Sequence, residues 1–184
     1  MRVAVTGGIA DGKSTILTEV AALGFPTISA DDVVKQLYET DAIRSTLIET
    51  FGTTDKREIR RRILEDPSDR RRLNSIFHLP VMRRIFDFCD SADRPAFAEI
   101  PLLIETATQE EFDEVWVATA GRDEQLRRLT VSLGGDSGLA QRLLETQLPT
   151  TVKEAFGDYV IWTNRPRKEV REFVRALAAR LFTE

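Results

Sequence analysis

A short stretch near the start of the chain has the residue types and the spacing that phosphate chemistry needs. Residues 3–15 read VAVTGGIADGKST, and residues 7–14 fit the pattern G-x-x-x-x-G-K-S of a phosphate-binding loop, or P-loop. In that pattern the N–H groups of the loop and of the following helix converge on an anion. Lys13 would neutralise the β- and γ-phosphates of ATP, and the Ser14 hydroxyl would bind Mg²⁺.

The loop is therefore predicted to bind Mg·ATP, and a plain glycine turn followed by a surface lysine is the competing interpretation. Asp11 is unusual in such a loop, because a carboxylate repels phosphate unless it points outward. The predicted nucleotide-binding residues of the loop are Gly8, Ile9, Ala10, Asp11, Gly12, Lys13, Ser14 and Thr15.

The residues around the loop predict the strand and the helix that the motif requires. Residues 3–5 form an apolar run typical of a buried strand, and residues 16–23 have apolar residues at helical spacing, with Gly24 as the stop. Further strands are predicted at residues 25–29, 96–100, 114–119 and 159–163. Helical patterns separate them. The clearest is an apolar stripe formed by Val170, Phe173, Val174, Leu177, Ala178 and Leu181.

Strands that alternate with helices predict an α/β protein with the three-layer P-loop NTPase fold and a mostly parallel five-stranded sheet. Ligands of such sheets bind at the carboxyl ends of the strands. Residues 31–94 and 120–157 contain helical patterns and no convincing strand. We expect residues 1–184 to form a single domain, with the first of these segments as an acceptor-binding helical region and the second as a lid over the nucleotide.

The composition excludes several other classes of protein. The formal net charge of −4 gives no overall attraction to nucleic acid or to acidic membranes. Cys89 is the single cysteine, which excludes an internal disulfide and fits a reducing compartment, and one cysteine with one histidine cannot form a Cys/His zinc site. We find no signal-peptide pattern and no apolar run of membrane-spanning length, and therefore expect a cytoplasmic location.

Three acidic residues at predicted strand ends are candidates for proton or metal chemistry. Asp31 and Asp32 follow the second predicted strand, where a carboxylate can accept a proton from an attacking hydroxyl. A helix N-cap is an equally good interpretation of this pair. Glu99 ends the third predicted strand and can hold a metal-bound water, or it is a charge at the edge of the sheet.

Further segments, in order along nearly the whole chain, resemble the dephospho-CoA kinase family. They are ISADDVV, LNSIFHLPV, EIPLLIET, DEQLRRL, RLLETQLP and DYVIWTN. Together with the P-loop they indicate a divergent member of this family of P-loop kinases. The resemblance implies that ATP, with Mg²⁺, phosphorylates the 3′-hydroxyl of dephospho-CoA to give coenzyme A and ADP.

The resemblance also implies roles for particular residues. Asp31 becomes the general base, Lys13 holds the phosphates, and Arg128 becomes a lid arginine that meets the charge developing on the transferred phosphoryl group. Asn164 would lie near the adenine. The residues implied to bind the acceptor are Asp31, His78, Pro101, Leu102 and Glu105.

Each of these roles has a structural alternative. His78 lies in an apolar stretch and is equally well a structural histidine, and Glu105 is equally well a cap on a helix after Leu103. The alternative for Arg128 is a solvated charge on a helix, and the alternative for Asn164 is a turn residue before Pro166.

The chain departs from the family pattern at several positions. Ala10 stands where the family usually has glycine, and an alanine is strained there if the position needs a positive φ. Ser29 replaces an aspartate, Leu79 separates His78 from Pro80, and Ser132 stands where a further lid arginine often follows. These differences leave the identity of the acceptor open.

Two arginine runs and two other functions complete the sequence-based hypotheses. REIRRR and DRRR suit either a solvated helix face paired with nearby acids or contacts to the pyrophosphate of the acceptor, and nucleic acid is a weaker interpretation. The rival functions are a kinase for another small acceptor, such as a nucleoside monophosphate, and a nucleotide-dependent switch without an acceptor. The sequence does not indicate the oligomeric state.

Overall fold

The computed structural model describes residues 1–182. Within them one sheet has five strands in the order β2-β3-β1-β4-β5. The strands are β1 (Arg2–Thr6), β2 (Thr27–Ser29), β3 (Ala96–Glu99), β4 (Glu114–Thr119) and β5 (Tyr159–Trp162). β1 pairs in parallel with both β3 and β4, and β4 pairs in parallel with β5. The predicted α/β fold with a five-stranded sheet is confirmed.

Helices connect the strands at the positions that the sequence indicated. The helices of the described residues are α1 (Lys13–Ala22), α2 (Ala30–Leu37), α3 (Asp41–Phe51), α4 (Lys56–Glu65), α5 (Pro67–Asp90), α6 (Arg122–Ser132), α7 (Ser137–Leu144), α8 (Thr150–Glu154) and α9 (Arg167–Ala179). Short 3₁₀ turns lie at Gln109–Glu111 and Arg180–Phe182.

The chain divides into two compact units. Among the described residues, the first comprises Met1–Ile28 and the chain from Cys89 to Phe182, and the second comprises Ser29–Phe88. The core of the first unit lies where the central strands meet α1 and α9. There Phe97 packs edge-on against Phe25 and Trp116, with ring centroids 5.3 and 4.9 Å apart.

The apolar stripe that the sequence predicts for the last helix is buried except at one position. In α9, Val170, Val174 and Ala178 are buried as expected, but Phe173 is 48% exposed. In α3 of the second unit, Ile48 has apolar neighbours at helical spacing and is nevertheless 55% exposed. The spacing of apolar residues identifies which face of a helix is buried, but the width of the buried stripe depends on the elements that cover it.

Candidate active site

The P-loop lies between β1 and α1, at the carboxyl end of the central strand of the sheet. Gly7 has φ +142° and Gly12 has φ +87°, a region that favours glycine. A Cβ atom on Gly7 would lie 2.4 Å from the Ala118 carbonyl oxygen, and one on Gly12 would lie 2.9 Å from the Thr163 hydroxyl oxygen. The loop is therefore packed directly against β4 and against the segment that follows β5.

Lys13 and Ser14 open the helix that follows the loop. Lys13 is 7% exposed, and its Nζ donates hydrogen bonds to the carbonyl oxygens of Gly8, at 2.8 Å, and Gly7, at 3.3 Å. Ser14 is exposed in the first turn of α1. An ammonium group held on the loop, next to the positive end of a helix, is a suitable environment for phosphate.

The central turn of the loop contains a strained alanine. Ala10 has φ +64°, the conformation in which a side chain costs about 1 kcal/mol or more. Asp11 does not point outward: it is 1% exposed, and its carboxylate accepts a hydrogen bond from the N–H of Gly8 at 2.7 Å. The same turn is closed by the Asp11 N–H, which donates to the Gly8 carbonyl at 3.3 Å.

Arg128, on α6, reaches both the P-loop and the segment after β5. Its guanidinium donates to the Thr163 carbonyl at 2.7 Å, to the Thr163 hydroxyl at 3.0 Å and to the Ala10 carbonyl at 3.4 Å. Its Nε donates to Glu124 at 2.8 Å. These contacts use four of the five guanidinium N–H groups. Arg128 is thus a fixed side chain beside the loop rather than a solvated one.

Thr163 is a contact residue that the sequence reasoning did not single out. It is 7% exposed, and its hydroxyl donates to the Asp11 carbonyl oxygen at 2.7 Å. Asn164, the predicted adenine contact, follows it and is exposed. A cavity of about 240 Å³ opens at this place. It is lined by Thr15, Arg128, Thr163, Arg165, Arg167 and Val170.

Glu99 and Ser14 are the two residues predicted to hold Mg²⁺. Glu99 is the last residue of β3 and lies opposite Val5 in the parallel register of β1. Val5 is two residues before Gly7, so Glu99 lies beside the strand that leads into the P-loop. Carboxylate and hydroxyl oxygens are hard ligands that suit Mg²⁺.

The segment after β3 differs from its expected form. Residues 101–107 are a series of turns, so the alternative of Glu105 as the cap of a helix is wrong. Glu105 instead forms an ion pair with Lys153 of α8, with Oε1 and Nζ 2.8 Å apart. Lys153 is completely buried and also donates to the Pro101 carbonyl at 2.6 Å. Leu102, the other predicted acceptor contact here, is half-buried, and its carbonyl accepts from Thr106 N–H at 3.0 Å.

The remaining predicted acceptor residues belong to the second unit. Asp31 is exposed in the first turn of α2, whose N-cap is Ser29, so the interpretation of Asp31 as the cap is wrong. His78 is half-buried in the middle of α5, two residues before Pro80. Leu79, which separates them, is 69% exposed.

Three arginines of the two runs in the second unit, Arg61, Arg62 and Arg72, pair with acids within that unit. Asp69 is 5% exposed and accepts hydrogen bonds from Arg62 at 2.9 Å and Arg72 at 3.2 Å. Arg61 pairs with Glu65 at 2.9 Å along α4. These contacts support the solvated, paired helix face over nucleic-acid binding. Within residues 1–182 no helix is both long enough and apolar enough to span a bilayer.

Comparison with known proteins identifies the group to which this loop and sheet belong. The sequence model of the family described as dephospho-CoA kinase matches residues 1–169. The chain belongs to the dephospho-CoA kinase family. A dephospho-CoA kinase of Geobacter metallireducens is 34% identical over 190 residues, which cover 95% of this chain and 94% of that protein. One of Leifsonia xyli is 33% identical, with 97% and 98% of the two chains covered.

Solved structures show the same fold at lower identity. A Thermus thermophilus protein superimposes with a TM-score of 0.83 and 22% identity, over 98% of this chain and 97% of that one. A dephospho-CoA kinase from Campylobacter jejuni gives 0.64 and 20%, over 98% and 96%. A shikimate kinase from Bacteroides thetaiotaomicron gives 0.60 and 12%, over 97% and 98%. The predicted family, the P-loop kinase fold, the phosphotransferase class and ATP as a substrate are confirmed.

Proposed function

We propose that this dephospho-CoA kinase performs the reaction of its family with Asp31, Lys13 and Arg128 as its catalytic residues. The oxygen of the 3′-hydroxyl of dephospho-CoA bonds to the γ-phosphorus of ATP, and the bond from that phosphorus to the bridging oxygen of ADP breaks. The hydroxyl proton passes to the carboxylate of Asp31. The products are coenzyme A and ADP.

The observation that carries the proposal is the position of Lys13 on the P-loop. Its ammonium is held 2.8 Å from the Gly8 carbonyl, beside the positive end of α1. We propose that a phosphate group of ATP binds there, with the backbone of residues 8–15 around it and Lys13 neutralising its charge. Asn164 and the cavity beside Arg128 are the proposed site of the adenosine.

Arg128 is proposed to act on the phosphoryl group in transfer. Four of its five N–H groups are already bonded to Ala10, Thr163 and Glu124, which fixes its direction in advance. The remaining N–H would meet the developing charge. Such a group costs little reorganisation at the moment of reaction, because its position is set before the substrate binds.

Ser14 and Glu99 are proposed to hold Mg²⁺, Ser14 through its hydroxyl and Glu99 through a bound water. Bound Mg²⁺ would neutralise charge on the phosphates of ATP. Both side chains supply oxygen, which this ion prefers.

The acceptor is proposed to contact His78, Pro101, Leu102 and Glu105. In this proposal residues 31–94 are the acceptor-binding region and residues 120–157 the lid of a single P-loop kinase domain. We propose a cytoplasmic location, which the free, buried thiol of Cys89 supports because reduced thiols are typical of that compartment.

The test is the release of ADP from Mg·ATP by the purified chain, with and without dephospho-CoA, together with the mass of the product. Release that depends on the acceptor, with a product one phosphate heavier, would support the proposal. Binding of ATP without transfer to dephospho-CoA would overturn it. A set of other alcohol acceptors, including nucleoside monophosphates, would then identify the true one.

A further inference from the structure

The carboxylate of Asp11 is buried inside the P-loop and takes no part in the reaction proposed above. Its side chain accepts hydrogen bonds from four donors. Oδ1 accepts from the N–H of Ala120 at 2.9 Å, and Oδ2 accepts from the N–H of Gly8 at 2.7 Å, from Nε2 of Gln125 at 3.2 Å and from the Thr150 hydroxyl. A buried charge needs several donors of this kind, because each replaces a contact with water.

The four donors come from four separate segments of the first unit. Gly8 belongs to the P-loop, Ala120 follows β4, Gln125 lies on α6, and Thr150 begins α8. Ala120 and Gln125 lie at the start of residues 120–157, the proposed lid region, and Thr150 begins the last helix of that region, α8. One carboxylate therefore connects the phosphate-binding loop with both ends of that region.

The same group closes the turn that contains the strained Ala10. The Asp11 N–H donates to the Gly8 carbonyl, and the Gly8 N–H donates back to the Asp11 carboxylate. The two bonds hold the two residues between them, including Ala10 at φ +64°. The carbonyl of Asp11 accepts from the Thr163 hydroxyl at 2.7 Å, which fixes the other end of the loop.

The absence of a side chain at Gly8 follows from this cluster. A Cβ atom there would lie 2.2 Å from Nε2 of Gln125 and 2.9 Å from both the Asp11 carboxylate and the Thr150 hydroxyl. The backbone of the loop at Gly8 thus packs directly against the Asp11 carboxylate and two of its donors.

We propose that Asp11 is a positioning residue for nucleotide binding, whose carboxylate holds the P-loop in its phosphate-binding shape and attaches it to both ends of the lid region. This inference rests on the proposed binding of nucleotide by the loop. The negative charge is tolerated near phosphate because four donors already share it. Its effect is therefore on the nucleotide rather than on the acceptor.

The test compares the full chain with its Asp11→Asn variant, which has nearly the same shape and directs an amide at donors that need an acceptor. We expect the affinity for ADP, measured by calorimetry, to fall about tenfold, as for loss of a buried charge-assisted hydrogen bond. The KM for ATP should rise in parallel while the KM for dephospho-CoA changes less than about twofold. Asp123 is an exposed acid on the same helix as Gln125 and provides the matched control. Asp123→Asn should change neither the affinity for ADP nor the KM for ATP.

A reciprocal exchange separates positioning from general damage. Gln125→Glu alone places a second carboxylate beside Asp11 and should weaken ADP binding, whereas Asp11→Asn with Gln125→Glu restores one amide and one carboxylate and should recover part of the affinity. The donor Thr150 provides a second pair of variants if Asp11→Asn does not fold. Thr150→Val removes the hydroxyl that donates to Asp11, and Thr150→Ser keeps it. ADP should then bind more weakly to the valine variant only.

The outcomes distinguish this inference from the proposed reaction. Equal or tighter ADP binding by Asp11→Asn would overturn the inference, as would a lower melting temperature with unchanged ADP affinity, which indicates a structural role alone. A wild-type chain that binds ADP but does not phosphorylate dephospho-CoA would overturn the proposed reaction and leave the affinities to decide the role of Asp11.

Discussion

The candidate residues of the two units differ in how firmly the protein holds them. In the first unit Lys13, Arg128 and Glu105 are buried or half-buried, and each makes two or more contacts with neighbouring segments. In the second unit Asp31 is exposed on the first turn of α2. The proposed nucleotide-binding residues Lys13 and Arg128, and Glu105 at the proposed acceptor side, are therefore held in place by the fold itself, whereas the proposed base Asp31 is not enclosed.

This difference has a consequence for mutagenesis. Groups that stabilise a transition state act best when their positions are fixed in advance, and fixed groups also contribute to stability. Substitutions at the nucleotide side should therefore change binding and stability together. Substitutions of exposed residues at the acceptor side should change turnover alone.

The largest effect is expected for Lys13→Ala. Loss of the Lys13 ammonium removes the positive charge that neutralises the phosphates in both the ground state and the transition state. Turnover should therefore fall on the order of 10³-fold. ADP affinity should fall as well, and the melting temperature should change because the side chain is 7% exposed. Steady-state kinetics and ADP titration check this. Unchanged turnover would show that the P-loop is not the phosphate site.

Asp31→Asn is expected to separate turnover from binding. Without a base for the hydroxyl proton, turnover should fall roughly 10²-fold or more, while ADP affinity and melting temperature stay close to those of the wild type. The adjacent Asp32, which pairs with Lys35 at 2.7 Å on the surface, provides the control. Equal losses for Asp31→Asn and Asp32→Asn, or no loss for either, would exclude Asp31 as the base.

The sequence predicted the parts of the site that depend on neighbours along the chain. The strand at residues 114–119 was predicted with its observed bounds, and the P-loop motif indicated which residues surround Lys13. The burial of Asp11 could not be predicted in this way, because three of its donors are more than 100 residues away along the chain. Lys153 lies in TTVKEAFG, where nothing distinguishes it from a surface lysine, and its partner Pro101 is 52 residues distant.

Breaking the buried ion pair of Lys153 and Glu105 should lower the free energy of unfolding substantially. Lys153→Met leaves the Glu105 carboxylate without its cation, and breaking a buried pair of this kind costs about 3 kcal/mol or more. Glu105→Met with Lys153→Met removes both charges and should recover much of the loss. Urea denaturation of the single and double variants checks this. If the double variant is no more stable than Lys153→Met, the pair is not the source of the loss.

The smallest effect is expected for Glu124 of α6, whose contribution to the stability of the protein depends on pH. Hydrogen bonds from Arg127 and then Arg128 lower the pKa of Glu124 from 4.5 to about 2. Because the folded protein holds this carboxylate ionised more strongly than the unfolded chain does, the resulting stability is complete above about pH 4.5 and is lost as the pH falls toward about 2.

The melting temperature of the wild type should therefore exceed that of Glu124→Gln near neutral pH, and the difference should shrink on acidification toward pH 2. Glu124→Gln also replaces the charge-assisted hydrogen bond from Nε of Arg128 with a weaker one to a neutral amide oxygen, so its turnover should fall although its P-loop is unchanged. Melting curves of the two proteins across this pH range check the first expectation. A constant difference between them would mean that Glu124 contributes through packing rather than charge, and normal turnover would show that Ala10 and Thr163 alone suffice to direct Arg128.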